Sequence, residues 1–206
     1  APSNAEYYRN RAIIKNKTAD YDGAIEDFSS ATELNPKDFE AFYNRGVIYY
    51  YSEKMDSAIA DFSKAVVINP LYGKAFYNRA SVRFLSEDYD GAIEDYSKSI
   101  ELNPTYIRAY ENRAHAHYQN MNYSKAADDY NALLEKQASN ENLLINRGFI
   151  KTKALDYSGA NADYTNAIRL NQKNYKAYFY RGVLKTFFKD YREAIADYTK
   201  TIELMP

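Results

Sequence analysis

Bulky and small apolar residues follow one another along this chain in a register that repeats every 34 residues. Counted in frames from residue 5, the fourth place is large (Tyr8, Phe42, Phe76, Tyr110, Leu144, Tyr178) and the eighth is small (Ala12, Gly46, Ala80, Ala114, Gly148, Gly182). The twentieth place is always Ala (Ala24, Ala58, Ala92, Ala126, Ala160, Ala194), and the twenty-fourth always aromatic (Phe28, Phe62, Tyr96, Tyr130, Tyr164, Tyr198). The frame divides the chain into a leader, 1–4, and six repeats: 5–38, 39–72, 73–106, 107–140, 141–174 and 175–206. Pro36, Pro70, Pro104 and Pro206 share one place of that frame, with Ala138 and Gln172 in the two remaining slots.

At ~100° per residue, places 4, 8 and 11 fall on one face of a helix, and so do places 20, 24 and 27. Each repeat is therefore expected to form two amphipathic helices, A and B, in which large residues of one meet small residues of the other. Asp20, Asp88, Asn122, Asp156 and Asp190 each stand one residue before an aromatic and are expected to cap helix B. One such hairpin cannot bury its own apolar face, whereas stacked hairpins share a continuous core. The expected class is an all-α solenoid.

These columns closely resemble the tetratricopeptide repeat family, whose 34-residue helix-turn-helix unit has this pattern of large and small places and Pro near its end. The resemblance covers residues 5–206 and implies a right-handed superhelix of six units forming a single domain. Departures fall in repeats 4 and 5. Leu133 stands at the usually small place 27, Asn161 stands where Ile25, Ile59, Ile93 and Ile195 do, and Pro is missing at 138 and 172. Looser packing is expected there.

The resemblance places the functional surface on the face of helix A opposite its packing stripe, at places 2, 5, 6, 9, 12 and 13, which lines a concave groove. Place 6 reads Asn10, Asn44, Asn78, Asn112 and Asn146 before it breaks at Tyr180. Asn costs a helix interior roughly 0.6 kcal/mol against Ala, so the row needs a reason. One reason is a ladder of carboxamides that holds the main chain of an extended peptide, similar to that of the repeat domain in O-linked N-acetylglucosamine transferases. Another is that each Asn bridges neighbouring helices. Tyr43, Tyr50, Tyr77, Phe84 and Phe149 are expected to receive side chains, with Val47, Tyr51, Leu85, Ile145, Phe179, Val183 and Phe187 extending the apolar stripe.

Place 2 changes from Glu6 and Glu40 to Lys74 and Arg108, a polarity that could orient acidic groups of a peptide near the two cations. Arg9, Asn44, Lys74 and Arg108 partly fit the carboxylate clamp of chaperone-binding members of the family, but place 9 lacks the Asn that this clamp needs. Two columns do not vary: Arg at place 7 (Arg11, Arg45, Arg79, Arg113, Arg147, Arg181) and Asp at place 23 (Asp27, Asp61, Asp95, Asp129, Asp163, Asp197). A surface that reads ligands varies between repeats, so these are expected to form a structural ladder of Arg–carboxylate pairs.

Composition narrows the function classes. With 27 Lys+Arg against 28 Asp+Glu, the formal charge of −1 gives no electrostatic case for a nucleic-acid partner. The absence of Cys excludes disulfides and thiolate chemistry but leaves cytoplasm and periplasm equally open. Apolar runs are far short of the ~20 residues of a membrane span, so a soluble chain is expected. His115 and His117 diverge by ~200° on a helix and cannot share a metal, and no nucleophile, acid pair or phosphate loop stands out. No cofactor, metal or catalytic residue is expected.

The chain starts without Met, which favours a piece of a longer protein, and Tyr7 at a place usually held by Ala suggests that no repeat precedes the first. The last helix shows Ile195, Tyr198 and Ile202 without a capping helix. The expected function is a non-catalytic scaffold for an extended peptide or protein segment. The alternatives are a targeting or regulatory module of a larger enzyme or complex, and a homo-oligomer assembled through the C-terminal edge.

Overall fold

The 34-residue register becomes a pair of helices in each repeat. The computed structural model describes residues 4–205; most of the expected leader and Pro206 lie outside them. The A helices are α1 (Ala5–Lys17), α3 (Phe39–Tyr51), α5 (Gly73–Leu85), α7 (Ile107–Gln119), α9 (Glu141–Lys153) and α11 (Tyr175–Phe187). The B helices are α2 (Tyr21–Leu34), α4 (Met55–Ile68), α6 (Tyr89–Leu102), α8 (Tyr123–Lys136), α10 (Tyr157–Leu170) and α12 (Tyr191–Leu204). Among the described residues there is no strand. The fold is an all-α helical repeat solenoid, whose contacts gather into two compact units, Ala1–Ala109 and Tyr110–Pro206.

Every A helix stops at the same place by the same device. The residue at place 15 is left-handed in all six repeats, with φ between 56° and 66°, although none of the six is glycine: Ala19, Glu53, Glu87, Met121, Leu155 and Lys189. The next N–H then reaches back five residues, as Asp20 does to the Lys15 carbonyl at 2.9 Å. The start of helix B depends on sequence more finely than expected. Asp20, Asp88 and Asp156 accept from the N–H groups of Gly23, Gly91 and Gly159, whereas Asn122 and Asp190 make no side-chain cap. A Cβ on those glycines would lie 2.1–2.4 Å from Oδ2 of the capping carboxylate, so the carboxylate folds over bare Cα atoms. Lys125 and Glu193 hold the place of these glycines in the two uncapped repeats.

Places 8 and 24 meet as the pattern requires. A Cβ on Gly46 would lie 2.9 Å from the Phe62 ring, and one on Gly148 would lie 2.7 Å from Tyr164. Phe28, Phe62, Tyr96 and Tyr164 are fully buried against this small column. The expected looseness around repeats 4 and 5 is not found. Leu133 is completely buried, and Leu143, Leu144 and Ile145 of α9 are buried with it. Leu144 is smaller than the ring that fills place 4 elsewhere, a change opposite in sign to the one at Leu133. Ile145, expected on the groove, belongs to this core. The loop also keeps its form without proline: Lys173 N–H donates to Asn171 Oδ1 as Leu71 N–H does to Asn69 Oδ1.

The place-7 arginines of repeats 2, 3, 5 and 6 join three helices at a time. Arg45 of α3 grips Asp61 of α4 through two parallel bonds, Nε–Oδ2 at 2.7 Å and Nη2–Oδ1 at 2.8 Å. Its third nitrogen, Nη1, donates to Ser29 on α2 of the preceding repeat at 2.8 Å. Arg79 repeats the bracket with Asp95 and Ser63, Arg147 with Asp163 and Asn131, and Arg181 with Asp197 and Thr165. Arg11 and Arg113 likewise hold Asp27 and Asp129. The carboxylates are nearly inaccessible, Asp95 and Asp163 at 2% exposure, so the geometry of the fork decides whether their desolvation is offset.

A second cation at place 11 supports most of these pairs. Lys15 reaches Asp27, Arg83 reaches Asp95, Lys151 reaches Asp163 and Lys185 reaches Asp197, each within 3.0 Å. Arg11, with Lys15, holds the Asp27 carboxyl below its ordinary range against the opposing effect of burial. In repeat 4 the second cation is replaced by His117, which is 6% exposed and whose Nδ1 has no hydrogen-bond partner. Burial, reinforced by Arg113 and Lys125, pushes this imidazole down to about 4. Burial also raises the Asp129 carboxyl, which Arg113 only partly counters.

Removing an inaccessible carboxylate strands its guanidinium partners. Asp95→Ala should therefore destabilise the chain by about 3–5 kcal/mol in urea unfolding, against less than about 0.5 kcal/mol for the exposed neighbour in Glu94→Ala. Equal effects would remove the ladder from the stability of the fold. His117 takes its proton near pH 6.5 when unfolded and only near 4 when folded, so the unfolded state binds more protons between those values. Its contribution is complete above pH 6.5 and is lost as pH falls towards 4. His117→Lys, which returns the second cation to Asp129, should keep neutral-pH stability and flatten the decline of melting temperature between pH 6.5 and 4.5. Parallel declines in wild type and variant would assign the acid sensitivity elsewhere.

A tyrosine-lined cavity as the candidate binding site

In the first three repeats, place 5 on the A helix faces place 34, the residue just before the next A helix. In repeat 1 this pairing is ionic: Arg9 donates to Asp38 at 3.0 Å, while Asp38 also caps α3 by accepting from the Ala41 N–H. In repeats 2 and 3 the same two places hold tyrosines. The Tyr43 and Tyr72 rings meet edge to face with centroids 5.0 Å apart, and Tyr77 and Tyr106 lie 4.7 Å apart. Two consecutive aromatic pairs thus stand one repeat apart, on either side of the start of α5.

Between them lies a cavity of about 640 Å³. The tyrosine pairs form its walls together with Leu71 and Leu102, and Lys74, Asn78, Ser99 and Asn103 supply its polar lining. Gly73, the first residue of α5, leaves the space open, since place 1 carries Phe39, Ile107 or Tyr175 in other repeats. Asn78 Nδ2 donates to the Tyr43 hydroxyl at 3.1 Å and so ties α5 to α3. Burial pushes the hydroxyls of Tyr43 and Tyr106 up to about 12, which keeps both phenols neutral and able to donate hydrogen bonds. Lys74 is exposed at the edge.

Tyr43, Tyr77, Asn78 and Lys74 are thus brought together, and the other expected site residues lie elsewhere. Asn44 donates to the Glu40 carbonyl of its own helix at 2.8 Å. Asn146 is exposed and close enough to the Tyr130 hydroxyl of the preceding repeat to act on it. One N–H of Asn44 and of Asn78 is therefore committed within the protein, and Asn78 fastens neighbouring repeats. Asn112 is half-buried on α7. Tyr50 is half-buried beside Tyr51, Phe84 packs edge to face on Tyr89, and Phe149 is half-buried between Tyr118 and Tyr180. Arg108 is exposed and close enough to Tyr106 to act on its hydroxyl. Phe179, Val183 and Phe187 of α11 are exposed apolar residues.

Sequence reasoning did not single out Tyr72, Tyr106, Gly73 or Ser99. The signal was present in two columns outside the helical packing stripes. Place 34 runs Asp38, Tyr72, Tyr106, Asn140, Asn174, and place 1 loses its side chain only at Gly73. Among the described residues no cluster of His, Asp or Glu is arranged to hold a metal ion, and no helix is long and apolar enough to cross a membrane.

A family model described as TPR repeat matches residues 19–52 and 80–120, and one described as tetratricopeptide repeat matches residues 39–72. Neither describes a catalytic family. A search of curated proteins found no match. Solved structures similar to this chain include MamA, at 21% identity with a TM-score of 0.74, covering 84% of this chain and 94% of that one. The C-terminal part of a TPR repeat-containing protein from Cytophaga hutchinsonii is similar at 19% identity and a TM-score of 0.78, covering 95% and 78%. YrrB, described as a TPR protein with an unusual peptide-binding site, is similar at 16% identity and a TM-score of 0.71, covering 87% and 92%. At these identities the likeness is one of fold. Together with six helix pairs in a 34-residue register, the matched repeats make this chain a tetratricopeptide repeat protein.

Proposed function

We propose that the chain is a non-catalytic interaction scaffold that binds an extended peptide or protein segment along the face shared by its A helices. The observation that carries this reading is the convergence of Tyr43, Lys74, Tyr77 and Asn78 on one open cavity of about 640 Å³. Four residues chosen because stacking left them unexplained line a space that the stack does not fill. Tyrosine suits such a surface, because it offers a wide ring, a polar tip and little rotamer entropy to lose. YrrB, which shares the fold, is described as having a peptide-binding site, and the proposal places an analogous activity here.

In this reading the carboxamides of Asn44, Asn78, Asn112 and Asn146 meet the peptide main chain. An amide offers two N–H groups and an oxygen, so an internal bond through one N–H leaves Asn44 and Asn78 able to contact a ligand. Lys74 and Arg108 favour acidic groups at one end of the segment. The reactive groups of an enzyme have no place in this scheme.

A screen of random and C-terminal peptides tests it. The wild-type chain should select a consensus peptide, and the triple variant Asn44→Ala, Asn78→Ala, Asn112→Ala should bind that peptide at least about tenfold more weakly while still melting cooperatively. A chain that selects no peptide, or a folded variant that binds equally well, would overturn the proposal.

A further inference from the structure

Ser99 is an unexplained polar group. It stands at place 27, where Ala31, Ala65 and Ala167 put a methyl group, and it is 1% exposed with no hydrogen-bond partner for its hydroxyl. The usual escape for such a group is the carbonyl four residues back. Thr201, at the same place in repeat 6, takes it by donating to the Asp197 carbonyl at 2.9 Å. Ser99 does not, and it lines the tyrosine cavity. A buried hydroxyl left unpaired is unfavourable, and the cavity that Ser99 borders can hold a partner for it.

The surroundings restrict what that partner is. Rings of Tyr43, Tyr72, Tyr77 and Tyr106 offer faces and edges to a flat apolar group. Gly73 contributes the floor: a Cβ there would stand 3.4 Å from Leu102 and 3.7 Å from the Ser99 carbonyl, so a side chain fits without clash but occupies the cavity. The charge at the rim is positive. Lys74 lines the opening and Arg108 acts on Tyr106, while Glu40, the carboxylate that influences Tyr72, is paired with Arg9 at 3.0 Å.

We propose that this cavity is an anchor pocket for a tyrosine or tryptophan side chain of an acidic peptide segment. Its phenol or indole group hydrogen-bonds Ser99, and carboxylates flanking it meet Lys74 and Arg108. The inference rests on the peptide-scaffold reading and adds to it the identity of the anchoring residue. Phenylalanine would fill the same space but leave Ser99 unpaired, so the hydroxyl acts as a selector among aromatic side chains.

The test uses synthetic peptides with one central variable residue, Tyr, Trp, Phe or Ala, flanked by Glu or by Lys, titrated into the 15N-labelled chain so that millimolar affinities are measurable. Glu-flanked Tyr and Trp peptides should bind about fivefold tighter than Phe and at least about tenfold tighter than Ala, with the Gly73 amide signal shifting. Ser99→Ala should bring Tyr and Trp down to the Phe affinity and leave Phe unchanged. Gly73→Ile, which places in the cavity the side chain repeat 4 carries at this place, should reduce all peptides to the Ala level with the melt preserved. Lys74→Glu should reverse the preference for Glu over Lys flanks.

Peptides that bind regardless of the central residue, or that survive Gly73→Ile, would overturn the anchor pocket while leaving the scaffold reading intact. No binding by any of these peptides would likewise overturn it, and the scaffold reading would then stand or fall on the random-peptide screen.

Discussion

Much of this structure depends on one side chain repeated six times. The arginine at place 7 has three nitrogens in a plane. Where the bracket is complete, two grip an inaccessible aspartate on its own B helix and the third reaches a hydroxyl or amide on the preceding B helix. Lysine could not do this, because a single ammonium lacks the fork that fixes two helices and leaves a donor for a third. The rings at place 4 beneath the guanidinium, such as Phe42 under Arg45 and Phe76 under Arg79, hold it in position by cation–π contact at 5.6 Å. Apolar packing between places 8 and 24 supplies the driving force within a repeat, and the arginine sets how one repeat meets the next.

With stacking fixed in this way, the remaining face of each A helix is free to vary. Places 5 and 34 illustrate it: one geometry carries an ion pair between Arg9 and Asp38, then aromatic pairs between Tyr43 and Tyr72 and between Tyr77 and Tyr106. The cavity arises because two aromatic pairs are consecutive and because Gly73 intervenes without a side chain. A scaffold of this kind makes a pocket by composing columns, with no change to the helices that support it.

The helices themselves were legible in the sequence because periodic burial leaves periodic residues, and both helices of every repeat fall at the places the pattern indicated. The turn at place 15 was not legible, because its left-handed residues are Ala, Glu, Met, Leu and Lys, with none of the glycine that ordinarily marks that conformation. The absent caps at Asn122 and Asp190 coincide with the absence of a glycine three residues later, which a rule based on the capping residue alone overlooks. Leu133 misled for a related reason: read by itself it breaks the small column, yet it is completely buried. The site was half legible. Tyr43, Tyr77, Asn78 and Lys74 stood out as residues that packing did not need, whereas Tyr72, Tyr106 and Gly73 lie at the junction between repeats, where a reading confined to helix faces does not look.

The most direct test of the bracket is a double-mutant cycle between Arg79→Met and Ser63→Ala, measured by equilibrium unfolding. These residues belong to adjacent repeats and are joined by a hydrogen bond from the guanidinium Nη1 to the serine hydroxyl at 3.1 Å. If the arginines weld successive repeats, the coupling energy should be about 1–2 kcal/mol, as expected for a hydrogen bond from a charged donor. A coupling within about 0.3 kcal/mol of zero would mean that the two substitutions act independently, and that this bond does not weld the two repeats.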